Sequence, residues 1–437
     1  MPVKGAQFER VPTSESKNAP RTEVPYYVKA SAFGIPAYLI GIHLWTWVFN
    51  VRYFLAGRAD FRALYTAGYL LRTGGRHRLY DYALQEHLQN AIVGLSNTPL
   101  PFNHLAYESL LFAPLSLVKY RTAYLIFLLA NLLTLAACIR MLRPWTRNLG
   151  KVYAGFPLAL FAAYLPIAAA LIQGQDSILL LLAICGLLVL LERNQDTAAG
   201  ALLGLTMFKF QFALPIVIIF LAWRRWKVVS GFVSCSLSAL LVSVWLVGIA
   251  ETRQLFHLLS TISATSGPAD YLGSAVNPIH MSNLRGLVFG IGHNYFSVPL
   301  LQGFTAAFSA ALLLWVARMR VVSQSRHSLM VAVIAAVLVS YHSNIHDLSI
   351  LLVPILWTLD RHLLHEADHR TSRWLVVSAT LAFCSPVAES FFPDHLYLAS
   401  IPIIMFLVVL AKCDASSTQI TDVPFRSHTS IAYSPVL

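Results

Sequence analysis

Residues 31–51 read "SAFGIPAYLIGIHLWTWVFNV", without one acidic residue, lysine or arginine. A helix of roughly 17–25 apolar residues crosses the hydrocarbon core of a bilayer, and this run is long enough. It is too long for the apolar part of a cleaved leader, and Val51-Arg52-Tyr53 follow where a leader would carry small residues. It therefore reads as a retained first span. Ahead of it lies a polar segment, residues 1–30, with Lys4, Arg10, Lys17, Arg21 and Lys29.

Similar runs recur along the chain. Candidate spans are 31–51, 122–142, 152–172, 177–191, 228–249, 297–317, 328–341, 348–359, 373–389 and 396–411. The composition agrees: 57% of residues are hydrophobic and 12% charged, with a mean hydropathy of +0.62. Soluble domains carry about a quarter charged residues. The expected fold is all-α, a polytopic integral membrane protein of about ten spans. The formal charge of +12 suggests no nucleic-acid partner, because the basic residues sit in short clusters between apolar runs. Four of the five cysteines, Cys138, Cys185, Cys235 and Cys384, fall inside apolar runs, and none forms a CxxC pair with another. Neither a disulfide framework nor a thiolate metal site is expected.

With 1–30 placed in the cytoplasm as an N-terminal tail, the basic clusters gather on one side. They are Arg140, Arg143, Arg147 and Lys151; Arg224, Arg225 and Lys227; Arg318, Arg320 and Arg326; and Arg361, Arg370 and Arg373. The large loops on the other side are 52–121 and 250–296, and the second holds only Arg253 and Arg285. This is the asymmetry of the positive-inside rule. A cytoplasmic C-terminal tail, 412–437, closes the chain. Two segments interrupt the alternation. Residues 105–118, "LAYESLLFAPLSLV", are too short to span upright and read as membrane-associated; residues 198–223, interrupted by "KFQ" at 209–211, read as a hairpin of two half-helices. Broken helices at membrane depth are tolerated where they line a cavity. Under this topology Asp60, "QGQDS" (173–177), "NPIHMSNLRG" (277–286) and "YHSNIHD" (341–347) all face the extracytoplasmic side. Ionisable groups at membrane depth are costly and usually functional.

The first of these groups lies in "GRADFRALYTAGYLLRTGGRHRLYD", residues 57–81. Arg58, Arg62, Tyr65, Tyr69, Arg72 and Arg76 recur at steps of four and three, one stripe of a helix. That pattern predicts an amphipathic interfacial helix. It leaves Asp60 open to two readings, a helix N-cap or a catalytic carboxylate.

Read together, "ADFRALYTAGYLLRTG...LYD" (59–81), "GQDSILLLLAICGLLVLLER" (174–193), "AGALLGLTMFKFQ" (199–211) and "YHSNIHDLSILLVPIL" (341–356) resemble glycosyltransferase family 87. These are polyprenol-phosphate-mannose-dependent mannosyltransferases of the membrane-embedded C-type fold. The resemblance extends in general character over 31–411, the expected glycosyltransferase domain. It departs at Phe210, where the family commonly has proline, and at Asp176-Ser177, where it often has asparagine after Gly-Gln.

The resemblance implies that Asp60, the acid after the first span, is the catalytic base. Around it, Arg285, Lys209, Arg62 and Tyr65 are candidate substrate ligands, with Arg285 favoured for a donor phosphate because it stands nearly alone in its loop. Lys209 has the alternative of snorkelling to the surface. Gln175 and Asp176 form a polar bend suited to a sugar. His342 and His346 have i, i+4 spacing beside Asp347; that spacing suits a metal pair, but with no third ligand in sequence, sugar hydroxyls fit better. No metal and no cofactor beyond the donor substrate is expected.

The expected activity is inverting transfer of a hexose, mannose by the resemblance, from polyprenyl phosphate to a lipid-linked or cell-surface glycan. A β-linked donor would give an α-linked product. The partners are a lipid-linked sugar donor, a glycan or glycolipid acceptor and the membrane itself. The expected site is the extracytoplasmic face of the cell (inner) membrane. The rival is a transporter or flippase of lipid-linked sugars, which shares broken helices and buried polar groups. Against it stand the lack of an internal repeat and the gathering of polar groups at one face rather than the midplane.

Overall fold

The computed structural model of the protein describes residues 24–94, 100–263, 277–319, 326–364, 370–392 and 395–413. Residues 1–23 and 414–437 of the expected tails lie outside the described residues, as do 264–276 of the 250–296 loop, and the first helix already starts at Tyr26. Among the described residues the chain is helical throughout, with no strand. Five helical runs are long and apolar enough to cross a membrane: Tyr26–Arg72, Tyr120–Trp145, Asp196–Ala222, Trp226–Val247 and Val298–Ala317. The pair Phe156–Ala163 and Leu165–Gln173, bent by 58°, adds a sixth if it is one span.

Two of these runs are not straight. Tyr26–Arg72 turns at Gly57, whose φ of 95° no helix accepts. Asp196–Ala222 reverses at a 3-10 turn, Thr206–Lys209. Its legs show this directly: Asp196, which opens the first leg, meets Arg225, just after the second, at 3.0 Å. A straight helix of that length would hold them about 40 Å apart. The expected half-helix hairpin is therefore present, although length and composition alone would read it as one span. Its first leg lies along Trp226–Val247 at backbone contact. A Cβ on Gly200 would sit 1.9 Å from the Val228 carbonyl oxygen, and one on Gly231 would sit 2.0 Å from that of Thr197. Small residues are what allow helices in membranes to approach so closely.

Contacts between distant residues sort the bundle into two ends. At one end Glu192 pairs with Arg326 at 2.6 Å, Asp196 with Arg225, and Asp360 accepts from the Asn148 and Leu149 N–H groups at 2.7 and 2.9 Å. At the other, Gln175 meets Asp60, Lys209 meets Asp176 and Asp347, and Arg285 meets Tyr341. Ser177–Glu192, Arg326–Val339 and Leu352–His362 run between the two ends. Arg326–Val339 and Leu352–His362 are short, buried nearly all round and central, so they need no lipid-facing stripe. The four polar stretches expected to share one side do lie at one end.

The segment 105–118 forms short turns, Ala106–Glu108, Ser109–Phe112 and Pro114–Leu117, and does not span. It overturns one expectation. Phe61–Arg72 does not lie on a surface: every residue from Phe61 to Gly68 is buried, Arg62 at 4% exposure. The turns fold back over it, with Tyr65 Oη donating to the Val118 carbonyl (2.8 Å) and Arg72 Nε to Ser116 Oγ (2.8 Å). Only Arg58, Arg72 and Arg76 of the basic stripe are exposed. The helical period was read correctly, but the cover came from residues 44 and 53 positions downstream.

Candidate active site

Asp60 stands at the position before the Phe61–Arg72 helix, yet its side chain makes no capping hydrogen bond. Its Oδ2 instead accepts from Gln175 Nε2 at 2.6 Å, across 115 residues of chain. That distant partner decides against the simple cap. The side chain is half-buried, so a substrate hydroxyl can reach it.

Gln175 is placed by the bend between Leu165–Gln173 and Ser177–Glu192. Gly174 makes the bend with φ 61°, and its α-carbon packs so closely on Phe61 that a Cβ would lie 2.8 Å from the Phe61 Cβ. The glycine thus serves the turn and brings Gln175 beside Asp60 at once. The next residue, Asp176, is fully buried and starts the following helix.

Beyond the bend lies a buried ion cluster. Lys209, at the hairpin tip, is 3.1 Å from Asp176 Oδ1 and 3.1 Å from Asp347 Oδ1. Ser177 Oγ donates to the same Asp347 oxygen at 3.0 Å, and the other Asp347 oxygen accepts the Asn344 N–H, closing a capping box. His104 lies 2.5 Å from Glu108 Oε2 and 3.3 Å from Asp176 Oδ2. Burial pushes the Glu108 carboxyl up to about 8, against the pull of the neighbouring His104. Burial also brings the His342 imidazole down to about 4, so it faces the site as a neutral ring.

The expected site residues divide accordingly. Asp60, Gln175, Asp176, Lys209, Asp347, His342 and His346 come together at this end. Lys209 does not snorkel; it is locked between carboxylates. Arg285 is buried, donates from Nη1 to the Tyr341 carbonyl at 3.0 Å and lies over the Phe289 ring. It is braced by the loop that carries His342, rather than alone. Arg62 is buried within electrostatic reach of Asp60. Tyr65 points its hydroxyl to the Val118 carbonyl and belongs to the packing. The histidine spacing misled: residues 342–344 are not helical and Ile345–Leu351 is a 3-10 turn, so His342 and His346 do not share a helical face.

His104 and Glu108 were missed as site residues. Their own i, i+4 spacing inside a stretch otherwise suited to the membrane was the available signal.

Beside the cluster opens an apolar cavity of about 660 Å³. Asn103, Phe210, Tyr341, Leu214, Phe232 and Leu255 are among the residues that line it. The Phe210 and Tyr341 rings stack with centroids 5.6 Å apart. Asn103, Phe210 and Tyr341 are the sequence neighbours of His104, Lys209 and His342, which face the charges.

Half-buried acid, buried cation and greasy cavity converge on one end, and the sequence family agrees with what such a site can do. The family model for glycosyltransferase family 87 matches residues 108–341, more than half of the chain. The chain belongs to glycosyltransferase family 87. No curated protein and no solved structure matches it. The matched region contains Glu108, Gln175, Asp176, Lys209 and Arg285 of this glycosyltransferase, whereas Asp60 and Asp347 lie on either side of it. The case for Asp60 therefore rests on its geometry.

Proposed function

We propose that this glycosyltransferase moves a hexose, mannose by the sequence resemblance, from a polyprenyl phosphate to a lipid-linked or cell-surface glycan, with inversion and with Asp60 as base. The observation that carries the reading is the Gln175-held carboxylate of Asp60 at the rim of a buried ion cluster, with an apolar cavity alongside. A lipid phosphate donor has those two halves, an anion and a hydrocarbon chain.

The acceptor hydroxyl attacks the anomeric carbon as Asp60 takes its proton. The bond from that carbon to the phosphate oxygen breaks, and its electron pair leaves with the lipid phosphate. One displacement inverts the centre. Gln175 orients the carboxylate by donating to Oδ2, Arg285 and Arg62 supply the positive field into which the phosphate charge grows, and Lys209 holds Asp176 and Asp347 in place behind them. The all-helical, lipid-suited bundle accords with a C-type arrangement. We place the ion-paired end carrying the basic clusters in the cytoplasm and the catalytic end outside the cell (inner) membrane.

Purified protein incubated with polyprenyl-phosphate mannose and a crude lipid acceptor fraction is expected to transfer labelled sugar. Absence of transfer, with movement of lipid-linked sugar across vesicles instead, would make it a flippase. Orientation has its own test. In a cysteine-free background, a cysteine replacing exposed Arg78 should react with an impermeant thiol reagent on intact cells, and one replacing exposed Arg193 should not. The reverse labelling would put the site on the cytoplasmic face.

A further inference from the structure

The buried cluster holds carboxylate oxygens whose surroundings glycosyl transfer does not explain. Glu108, Asp176 and Asp347 are three carboxylates at 1% exposure or less. One ammonium, Lys209, is paired to two of them. It takes Oδ1 of Asp176 and leaves Oδ2 turned toward His104. Among the described residues, Glu108 Oε1 and both Asp176 oxygens lack a well-formed hydrogen bond although all three are inaccessible to solvent. Buried oxygens in that condition are rare, and a bound ion is one of the few things that satisfies them.

We propose that His104, Glu108 and Asp176 form a binding site for one divalent cation. One ligand atom from each lies within 4.8 Å of the other two. Ligands of one ion bonded at about 2.1 Å stand roughly 3.0–3.4 Å apart, or more where the angle opens. The His104–Asp176 separation of 3.3 Å already meets this. The His104–Glu108 contact of 2.5 Å must widen, which a turn of the glutamate side chain provides. One imidazole and two carboxylates favour Mn²⁺ or Zn²⁺ over softer metals. His104 retains 16% side-chain exposure, and Asn103 beside it lines the cavity, giving an entry path and room for further ligands. If the donor assignment above holds, a phosphate oxygen of the lipid is such a ligand.

The test needs no sugar, so it stands or falls apart from the transferase reading. Full-length protein in nanodiscs, stripped with chelator, is titrated with Mn²⁺ and followed by electron paramagnetic resonance and thermal unfolding. One Mn²⁺ per chain should bind and raise the unfolding temperature, and Zn²⁺ should compete. His104→Gln and Glu108→Gln should each weaken binding about tenfold or more, the scale of loss on disturbing a metal site. Glu108→Gln is the control for folding: an amide of the same size should leave the metal-free unfolding temperature no lower than that of the wild type while abolishing the Mn²⁺-dependent rise. Absence of saturable Mn²⁺ binding by the wild type, or binding unchanged in both variants, overturns the site.

Discussion

Asp60→Asn should lower turnover by about 10²–10⁴-fold while leaving the protein folded and the donor bound. Asparagine keeps the size of the side chain and an oxygen that Gln175 can still contact, but it takes up no proton. The loss should therefore appear in kcat rather than in the apparent donor constant, measured with labelled polyprenyl-phosphate sugar. Gln175→Ala is the companion measurement. It leaves the carboxylate basic but no longer held at 2.6 Å, so it should cost less than Asp60→Asn. An Asp60→Asn protein with ordinary turnover would reduce Asp60 to a residue that merely starts a helix, and the base would have to be sought elsewhere.

The largest effect on stability is expected at Lys209. Replacing it by methionine preserves the length of the side chain but strands Asp176 and Asp347, both 0% exposed. Breaking a buried pair by removing one partner typically costs about 3–5 kcal/mol, because the remaining charge is left uncompensated. Thermal unfolding in nanodiscs should show that loss. Adding Asp347→Asn to Lys209→Met should recover a substantial part of it, since one stranded charge is then gone, whereas two unrelated changes would simply add. Activity should not return with stability, because the double variant still lacks the ammonium. A Lys209→Met protein as stable as wild type would mean that water, not the lysine, solvates these carboxylates.

Much of this arrangement was legible in the residues alone, for a physical reason. Lipid excludes unpaired charge, so Asp60, Asp176, Lys209 and Asp347 stand out against their apolar surroundings, and alternating spans then put them at one end. The hairpin was legible because "KFQ" interrupts an apolar run flanked by segments on the same side. What sequence could not supply was pairing. Nothing in Arg285 announces the Tyr341 carbonyl, and nothing in Tyr65 announces Val118. The stripe at 58–76 looked solvated because periodicity reports which residues share a face, not what covers that face. His104 and Glu108 were passed over although they stand four apart at the start of a membrane-suited stretch, because spacing alone does not say that the turn Ala106–Glu108 sets them beside Asp176.

The hairpin also acts as a ruler. Its open end is pinned by Asp196 and Arg225, and its shaft is fixed against the neighbouring helix through Gly200 and Gly231, so leg length alone sets where the Lys209 ammonium stops. Deleting one residue between 201 and 205 would withdraw the tip by about 1.5 Å and turn it by roughly 100°, carrying the charge away from Asp176. Reach at the catalytic end is thus measured from the opposite side of the bundle, and a change in leg length there would retune the site without altering any residue in it.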